Sequence, residues 1–206
     1  MISVPKCIEE ASGIRIFGKL IRSLAFTTDV SVIKNINADS IIAVYPFTPQ
    51  PAITQAITMV ADVPVFCGVG GGLTTGRRVV NLALDAEFNG AMGVVVNAPT
   101  PDATIVAMRK VVDIPIMVTV VSEKTDIKSR LDAGADIINV SGAGKTVEIV
   151  EGIRARYPDV PIVATGGPTE ETIMATIEAG ANAITYTPPT PGELFKISMD
   201  RYRREL

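Results

Sequence analysis

Short apolar runs alternate with segments of helical spacing along most of the chain. Some runs begin at a proline, and others follow a Gly-Ala pair. Between them, apolar residues recur at every third or fourth position, as in Ile105, Met108 and Val112, which predicts helices. The unit strand, helix, strand, helix therefore repeats about every fifty residues. The runs are VPVF (63–66), NGAMGVVV (89–96), IPIM (114–117), AGADIINV (133–140), VPIV (160–163) and AGANAITY (179–186).

Glycine and proline mark the predicted boundaries of these elements. Glycines at 90, 134 and 180 fall where a helix should end, in the left-handed conformation that glycine adopts without steric cost. Prolines at 64, 115 and 161 fall at the start of a strand, where a missing N–H is tolerated. SLAFTTD (23–29) and SIIAVYPF (40–47) supply two further strands around a short helix near 31–37, which makes eight strands.

Continuous apolar strands that alternate with helices predict a parallel sheet covered on both faces. Eight such strands favour a single α/β domain, a (β/α)8 TIM-type barrel over residues 1–206, rather than an open sheet. We expect residues 1–20 to form an N-terminal helix that caps the bottom, and the barrel to occupy residues 23–206.

Composition narrows the function classes. The net charge of -3 and the small number of aromatic residues, six Phe and four Tyr, disfavour a nucleic-acid partner. The N-terminus lacks the apolar core of an export signal, and the longest apolar run, 111–121, is too short to span a bilayer. Two cysteines sixty positions apart match no metal or disulfide spacing, so we expect a cytoplasmic protein with no membrane partner, metal or cofactor. The absence of histidine removes the commonest general base.

In a barrel of this kind the site lies at the carboxyl ends of the strands. The residues expected there are mostly hydroxyls and amides, with few acids and bases. We expect the substrate to be bound by residues from several of these ends: Gly71, Gly72, Asn97, Thr165, Gly166, Gly167 and Thr187.

The segment ATGGPTEET (164–172) is the most specific signal at this rim. A strand is followed by two glycines and then by a helix with acids in its first turn. The glycines and the start of the helix leave backbone N–H groups free to bind a phosphate. The alternative interpretation of the same residues is a tight turn followed by a capped helix. Strands seven and eight are where barrel enzymes commonly hold a phosphate.

The glycine-rich stretch CGVGGGLTTGRR (67–78) follows the third strand. It fails the dinucleotide fingerprint, because Leu73 stands where the third glycine is required. We expect it to form the second wall of the pocket, with Arg77 or Arg78 directed at an anion.

Three residues are candidates for catalysis: Asp29, Asn139 and Lys145. Asp29 is either a general base or the N-cap of the following helix. Lys145 follows two glycines but lacks the full P-loop pattern, so it is either a solvated side chain or a partner for a substrate anion. Cys67 is expected to be a core residue, since no histidine exists to activate it.

From Pro64 to Pro189 the chain resembles the phosphate-binding (β/α)8-barrel superfamily, most closely 2-keto-3-deoxy-6-phosphogluconate aldolases. The segments that carry the resemblance are PVFCGVG, NGAMGVVVN, DIPIMVTVV, ADIINVSGA and VPIVATGG. The resemblance implies the barrel and a phosphate loop at Gly166 and Gly167. It does not extend to Schiff-base chemistry, because Ile138 and Asn139 stand where the family's lysine would fall. The family's catalytic glutamate near strand two also has no counterpart.

Two functions remain open. The first is an enzyme, a lyase, isomerase or synthase, that acts on a small phosphorylated metabolite. The second is a non-catalytic sensor of such a metabolite, since the last third of the chain also resembles glycerol-3-phosphate-responsive antiterminators. In either case we expect a homo-oligomer.

Overall fold

Strands and helices alternate through the computed structural model, which describes residues 1–205; Leu206, the last residue of the expected barrel domain, lies outside them. The strands are β1 (Ile14–Ile16), β2 (Lys19–Ile21), β3 (Ser23–Phe26), β4 (Ser40–Ala43), β5 (Val65–Gly68), β6 (Gly93–Val96), β7 (Ile116–Val120), β8 (Ile137–Val140), β9 (Ile162–Thr165) and β10 (Ala183–Tyr186). The α-helices are α1 (Val30–Lys34), α2 (Pro51–Val60), α3 (Arg77–Phe88), α4 (Asp102–Arg109), α5 (Ile127–Asp132), α6 (Thr146–Arg156), α7 (Glu170–Glu178) and α8 (Pro191–Glu205).

Strands β3 to β10 are all parallel and close into a barrel, with β10 pairing with both β9 and β3. This confirms the predicted (β/α)8 barrel. The prolines at 64, 115 and 161 each stand one residue before a strand. The glycines at 90, 134 and 180 adopt φ values of 84°, 109° and 108° at the ends of helices, as the pattern predicts.

The N-terminal segment differs from the single helix expected over residues 1–20. Only Lys6–Glu10 is helical, as a short 3-10 turn, and β1 and β2 form an antiparallel hairpin. Phe17 and Gly18 make its two-residue turn with φ values of 47° and 81°, the left-handed pair that such a tight turn needs. The cause is the alternation IRI and KLI on either side of the turn, because Ile14, Ile16 and Ile21 then share one buried face.

That hairpin face closes the bottom of the barrel, the end at which the strands begin. Its three isoleucines pack against a layer to which each barrel strand contributes one inward side chain. The layer consists of Leu24, Ile42, Phe66, Val95, Met117, Ile137, Val163 and Ala183. A second, larger core lies between the outside of the barrel and the helices.

Polar groups at the bottom are paired with one another. Asn182 Oδ1 accepts from the Ile162 N–H at 2.8 Å and from Arg154 at 2.7 Å. Asp136 does the same for the Ile116 N–H and Arg109. Asp39 accepts from the Arg22 and Ser23 N–H groups. These side chains hold the starts of neighbouring strands together.

None of the helices in residues 1–205 is long and apolar enough to cross a membrane.

Candidate ligand-binding site

A cavity of about 220 Å³ lies inside the barrel, directly above the apolar layer. Alternate residues of a strand point to the same face, so the positions two beyond that layer also point inward. At the carboxyl ends of the strands these positions hold mainly polar or small side chains. The inward residues of this layer are Phe26, Val44, Gly68, Asn97, Thr119, Asn139, Thr165 and Thr185.

The two halves of this cavity differ in chemistry. On the side of β3 to β5 it is lined by Phe26, Val44, Tyr45 and backbone at the glycines of the loop after β5. On the side of β6 to β10 it is lined by six neutral polar side chains, and none of the described residues around it carries a formal charge. The six are Asn97, Thr119, Asn139, Ser141, Thr165 and Thr185.

Hydrogen bonds within the polar half leave several groups free for a ligand. Asn139 donates from Nδ2 to Thr119 Oγ1 at 3.2 Å, so its carbonyl oxygen is available. Thr100 Oγ1 donates to Asn97 Oδ1 at 2.7 Å, which leaves the amide nitrogen of Asn97 to donate. The cavity thus presents both donors and acceptors.

Thr185 is the exception within this set. The residue is 8% exposed, and its hydroxyl has no hydrogen-bond partner among the described residues. An unpaired buried hydroxyl costs about 1–3 kcal/mol, so a ligand oxygen in the cavity would recover that free energy. This group is the clearest local indication of a bound molecule.

Two grooves extend from the cavity across the mouth of the barrel. One lies between the loops after β9 and β10 and shares Thr165 and Thr185 with the cavity. The other lies over the start of α1 and shares Phe26, Val44, Tyr45, Gly71 and Asn97 with it. We name them the β9–β10 groove and the α1 groove. Thr187 lines both grooves.

The β9–β10 groove contains the ATGG turn. Gly167 lines the groove with a φ of 81°, and a Cβ there would approach Thr172 Oγ1 to 2.6 Å. Gly166 is buried instead, and the side chains of Ile173 and Ile184 lie so close that a Cβ at this position would collide with them. Thr169 and Thr172 form a reciprocal cap at the start of α7, so the capped-helix interpretation of these letters describes the turn.

Two carboxylates also line this groove, Glu170 and Glu193. Hydrogen bonds from the backbone and side chain of Thr190 lower the pKa of Glu193, so it is ionised at neutral pH. Their charge opposes the attraction that the start of α7 exerts on an anion.

Asp29 lies in the α1 groove, outside the central cavity. Its carboxylate caps α1 by accepting from the Ser31 and Val32 N–H groups and from the Ser31 hydroxyl. The Ser31 hydroxyl, followed by the Val32 N–H, lowers its pKa. The geometry is that of the N-cap alternative, and a carboxylate with a lowered pKa is a weak base.

Lys145 ends a short 3-10 turn, Ala143–Lys145, and its ammonium lies 3.8 Å from the Glu123 carboxylate. Both side chains are well exposed, and neither lines the central cavity. Ala143 in the same turn has a φ of 51°, a left-handed conformation that costs a non-glycine residue about 1–2 kcal/mol.

The loop after β5 does form a wall of the cavity through Gly70 and Gly71. Its glycines are required by close backbone contacts. A Cβ on Gly71 would lie 2.8 Å from the Tyr45 and Phe47 carbonyl oxygens, and one on Gly72 would lie 2.7 Å from the Thr48 nitrogen. Cys67 points away from the cavity into the outer core, and burial raises its pKa to about 12.

The structure therefore brings Asn97, Asn139, Thr165 and Gly71 together around one cavity and leaves Asp29, Gly72, Gly167 and Thr187 in the grooves. Tyr45, Thr119, Ser141 and Thr185 also line the cavity, and the sequence analysis did not choose them as site residues. For Thr119 and Thr185 the available signal was their position two residues beyond Met117 and Ala183 of the inward apolar layer. Tyr45 and Ser141 have no such signal.

No protein-family model and no curated protein sequence matches the chain. Its fold is similar to that of a mandelate oxidase solved with benzoyl-formic acid, with a TM-score of 0.69 and 15% identity over 91% of this chain and 71% of that one. A phosphonopyruvate hydrolase in complex with oxalate and Mg²⁺ gives a TM-score of 0.63 and 14% identity over 89% and 92% of the chains. QR15, an aldolase, gives 0.62 and 20% identity over 79% and 87%. At such identities the likeness establishes the barrel fold.

Proposed function

We propose that this protein is an enzyme that acts on a small phosphorylated metabolite at the carboxyl end of the barrel. The observation that carries this proposal is the unpartnered Thr185 hydroxyl in a ring of neutral hydrogen-bonding side chains. Neutral donors and acceptors suit the hydroxyl and carbonyl groups of a sugar-like or keto-acid substrate. Two of the structures with a similar fold hold small carboxylates, benzoyl-formic acid and oxalate, which agrees with a substrate of this size.

The substrate phosphate would bind in the β9–β10 groove. The Gly167 N–H has no acceptor among the described residues, and the start of α7 attracts an anion. Because Glu170 and Glu193 oppose that attraction, we expect Glu170→Gln to raise the affinity for a phosphorylated ligand.

The reaction best suited to this cavity passes through an oxyanion, as in a lyase or isomerase that forms an enolate. Hydrogen-bond donors that the fold holds in place stabilise such a charge as it develops. The amide of Asn97 and the hydroxyls of Thr119 and Thr185 are the candidate donors.

Proton transfer would fall to a group at the edge of the cavity. Tyr45 accepts a hydrogen bond from the Gln50 N–H at 2.9 Å, so its own proton is available to a ligand. Asp29 is ionised at neutral pH and lies in the adjoining groove. Lys145 would need to turn away from Glu123 to reach the cavity.

The first experiment is a thermal-shift screen with inorganic phosphate, sugar phosphates and phosphorylated keto acids. A compound at about 100 times its dissociation constant adds about 2.7 kcal/mol to the free energy of unfolding. The shift should be reduced in Thr185→Val and kept in Arg15→Gln, an exposed control in the bottom hairpin. If no phosphorylated compound raises the melting temperature, the proposal is wrong.

Turnover of the stabilising compound then separates catalysis from binding. Loss of the general acid or base should reduce kcat by at least about 100-fold. Tyr45→Phe tests the side chain that lines the cavity, and Asp29→Asn tests the one in the α1 groove. Lys145→Met tests the third candidate in the same assay.

A non-catalytic sensor of a phosphorylated metabolite is the second candidate. It is favoured by one observation: Tyr45 is the only ionisable side chain among the described residues around the central cavity. Tight binding of a compound that the protein leaves unchanged over hours would support the sensor over the enzyme.

We also propose that the protein self-associates through α8. Phe195, Met199 and Tyr202 lie on one face of this helix and are 71%, 43% and 56% exposed. Light scattering should give a mass above 21.8 kDa, and the triple substitution Phe195→Ser, Met199→Ser, Tyr202→Ser should return it to that value.

A further inference from the structure

A small cavity lies beside the start of α3, on the outer side of the glycine-rich loop. Its volume is about 70 Å³, several times the roughly 10–15 Å³ that one water needs, so a phosphoryl or carboxylate group fits. Thr74, Thr75 and Gly76 form one wall, and Asn97 and Thr100 form the other.

Thr74 carries the second buried hydroxyl that has no hydrogen-bond partner in residues 1–205. The residue is only 5% exposed, lines this cavity, and its Oγ1 has no hydrogen-bond partner. At a buried position a threonine is no more stabilising than a valine of the same shape unless its hydroxyl forms a hydrogen bond. In this position it is placed to bind an oxygen inside the cavity.

The start of α3 is free to bind an anion. The helix is twelve residues long, Gly76 precedes it, and no side chain in residues 1–205 caps it. The N–H groups of Arg77 and Arg78 have no acceptor among the described residues. Free N–H groups and the helix dipole together favour a negative charge at this point.

Charge at this helix start is also unusual, since positive side chains there oppose the dipole. Arg77 and Arg78 occupy the first two helical positions, the first turn contains no acid, and neither arginine forms an ion pair in residues 1–205. Among the described residues no carboxylate lines the cavity, in contrast to the β9–β10 groove with its Glu170 and Glu193.

We propose that the start of α3 is a second oxyanion-binding site, in which the Thr74 hydroxyl and the N–H groups of Arg77 and Arg78 bind a phosphoryl or carboxylate group. Asn97 lines both this site and the central cavity. One molecule can therefore place its neutral part inside the barrel and an oxyanion group at α3. On the proposed function, the substrate carries a second oxyanion group in addition to the one in the β9–β10 groove.

The test is a titration of the ¹⁵N-labelled protein with inorganic phosphate, and in parallel with acetate, followed by amide chemical shifts. We expect the Arg77 and Arg78 signals to shift and saturate with at least one of the two anions. Thr74→Val should weaken that binding about tenfold, the loss expected for one hydrogen bond to a charged group. The paired change Arg77→Gln, Arg78→Gln should weaken it further, and Arg15→Gln should not.

The free protein supplies a readout that a purely structural role would not give. Because the Thr74 hydroxyl is unpaired, Thr74→Val should leave the melting temperature of the free protein unchanged or raise it while it weakens anion binding. Unshifted Arg77 and Arg78 amides with both anions, or equal affinity in Thr74→Val, would overturn the site. The Gly167 signal reports the β9–β10 groove separately, so failure of one site is distinguishable from failure of the other.

Discussion

The two ends of the barrel are built from the same eight strands but use their polar groups in opposite ways. At the bottom, Asp39, Asp136 and Asn182 each accept from N–H groups at the starts of strands, and Arg109 and Arg154 complete the pairs. At the mouth, the Thr74 and Thr185 hydroxyls have no partner, and the loops are rich in glycine.

This difference indicates that the polar groups at the bottom stabilise the fold, whereas those at the mouth are free to bind a ligand. Paired polar groups at the bottom are satisfied without any further molecule. Unpaired groups at the mouth are costly in the free protein and favourable once a ligand is bound. Removal of a paired group should therefore change folding, and removal of an unpaired hydroxyl at the mouth should change binding.

The largest effect is expected at Arg154. Its guanidinium donates to the Gly180 and Val160 carbonyl oxygens and to Asn182 Oδ1. Arg154→Met therefore leaves two partly buried carbonyl oxygens without their donor, while Asn182 Oδ1 keeps only the Ile162 N–H. We expect a loss of about 2–4 kcal/mol in the free energy of unfolding, measured with urea. Arg156→Met is the matched control, since Arg156 is exposed and bonds only to Gly152 in its own helix, and it should cost less than about 0.5 kcal/mol.

An intermediate effect is expected at Asp29. Asp29→Ala removes the cap of α1 and should cost about 1 kcal/mol, whereas Asp29→Asn should keep most of it. The pKa of Asp29 is lowered in the folded protein, so its charge stabilises the fold above the unfolded pKa of about 3.9 and that contribution is lost as the pH falls through the folded pKa. The difference in stability between the wild type and Asp29→Asn should therefore shrink in acid; a constant difference would contradict the capping role.

The smallest effect on folding is expected at Thr185, where the effect on binding should be large. Thr185→Val removes an unpaired hydroxyl and keeps the shape, so the free energy of unfolding should change by less than about 0.5 kcal/mol or rise. The stabilisation by a phosphorylated ligand should fall in the same variant. If Thr185→Val lowered the free energy of unfolding as much as Arg154→Met does, the proposed difference between the two ends would be wrong.

Most of the barrel can be predicted from the sequence because glycine and proline recur at regular positions between its helices and strands. Glycines at helix ends and prolines before strands fix the boundaries independently of the apolar runs. The hairpin was missed because Phe17 occupies a left-handed position that usually takes glycine, asparagine or aspartate. The alternation in IRIFGKLI was the available signal.

The site is predictable only in part, for a physical reason. The inward positions of Asn97, Asn139 and Thr165 follow from strand periodicity. Which hydroxyl lacks a partner depends on neighbours from other strands, so Thr185 and Thr74 could not be distinguished from other threonines. The glycines at 71 and 72 suggested a ligand, but their close neighbours are the backbone of residues 45–48.

A crystal structure with a stabilising phosphorylated compound would test the proposed site directly. We expect the compound at the mouth of the barrel, with an oxygen within hydrogen-bonding distance of Thr185 Oγ1 and a phosphate at Gly167 or at the start of α3. A compound bound at the bottom, or bound at the mouth with Thr185 and Thr74 still unpartnered, would contradict this expectation.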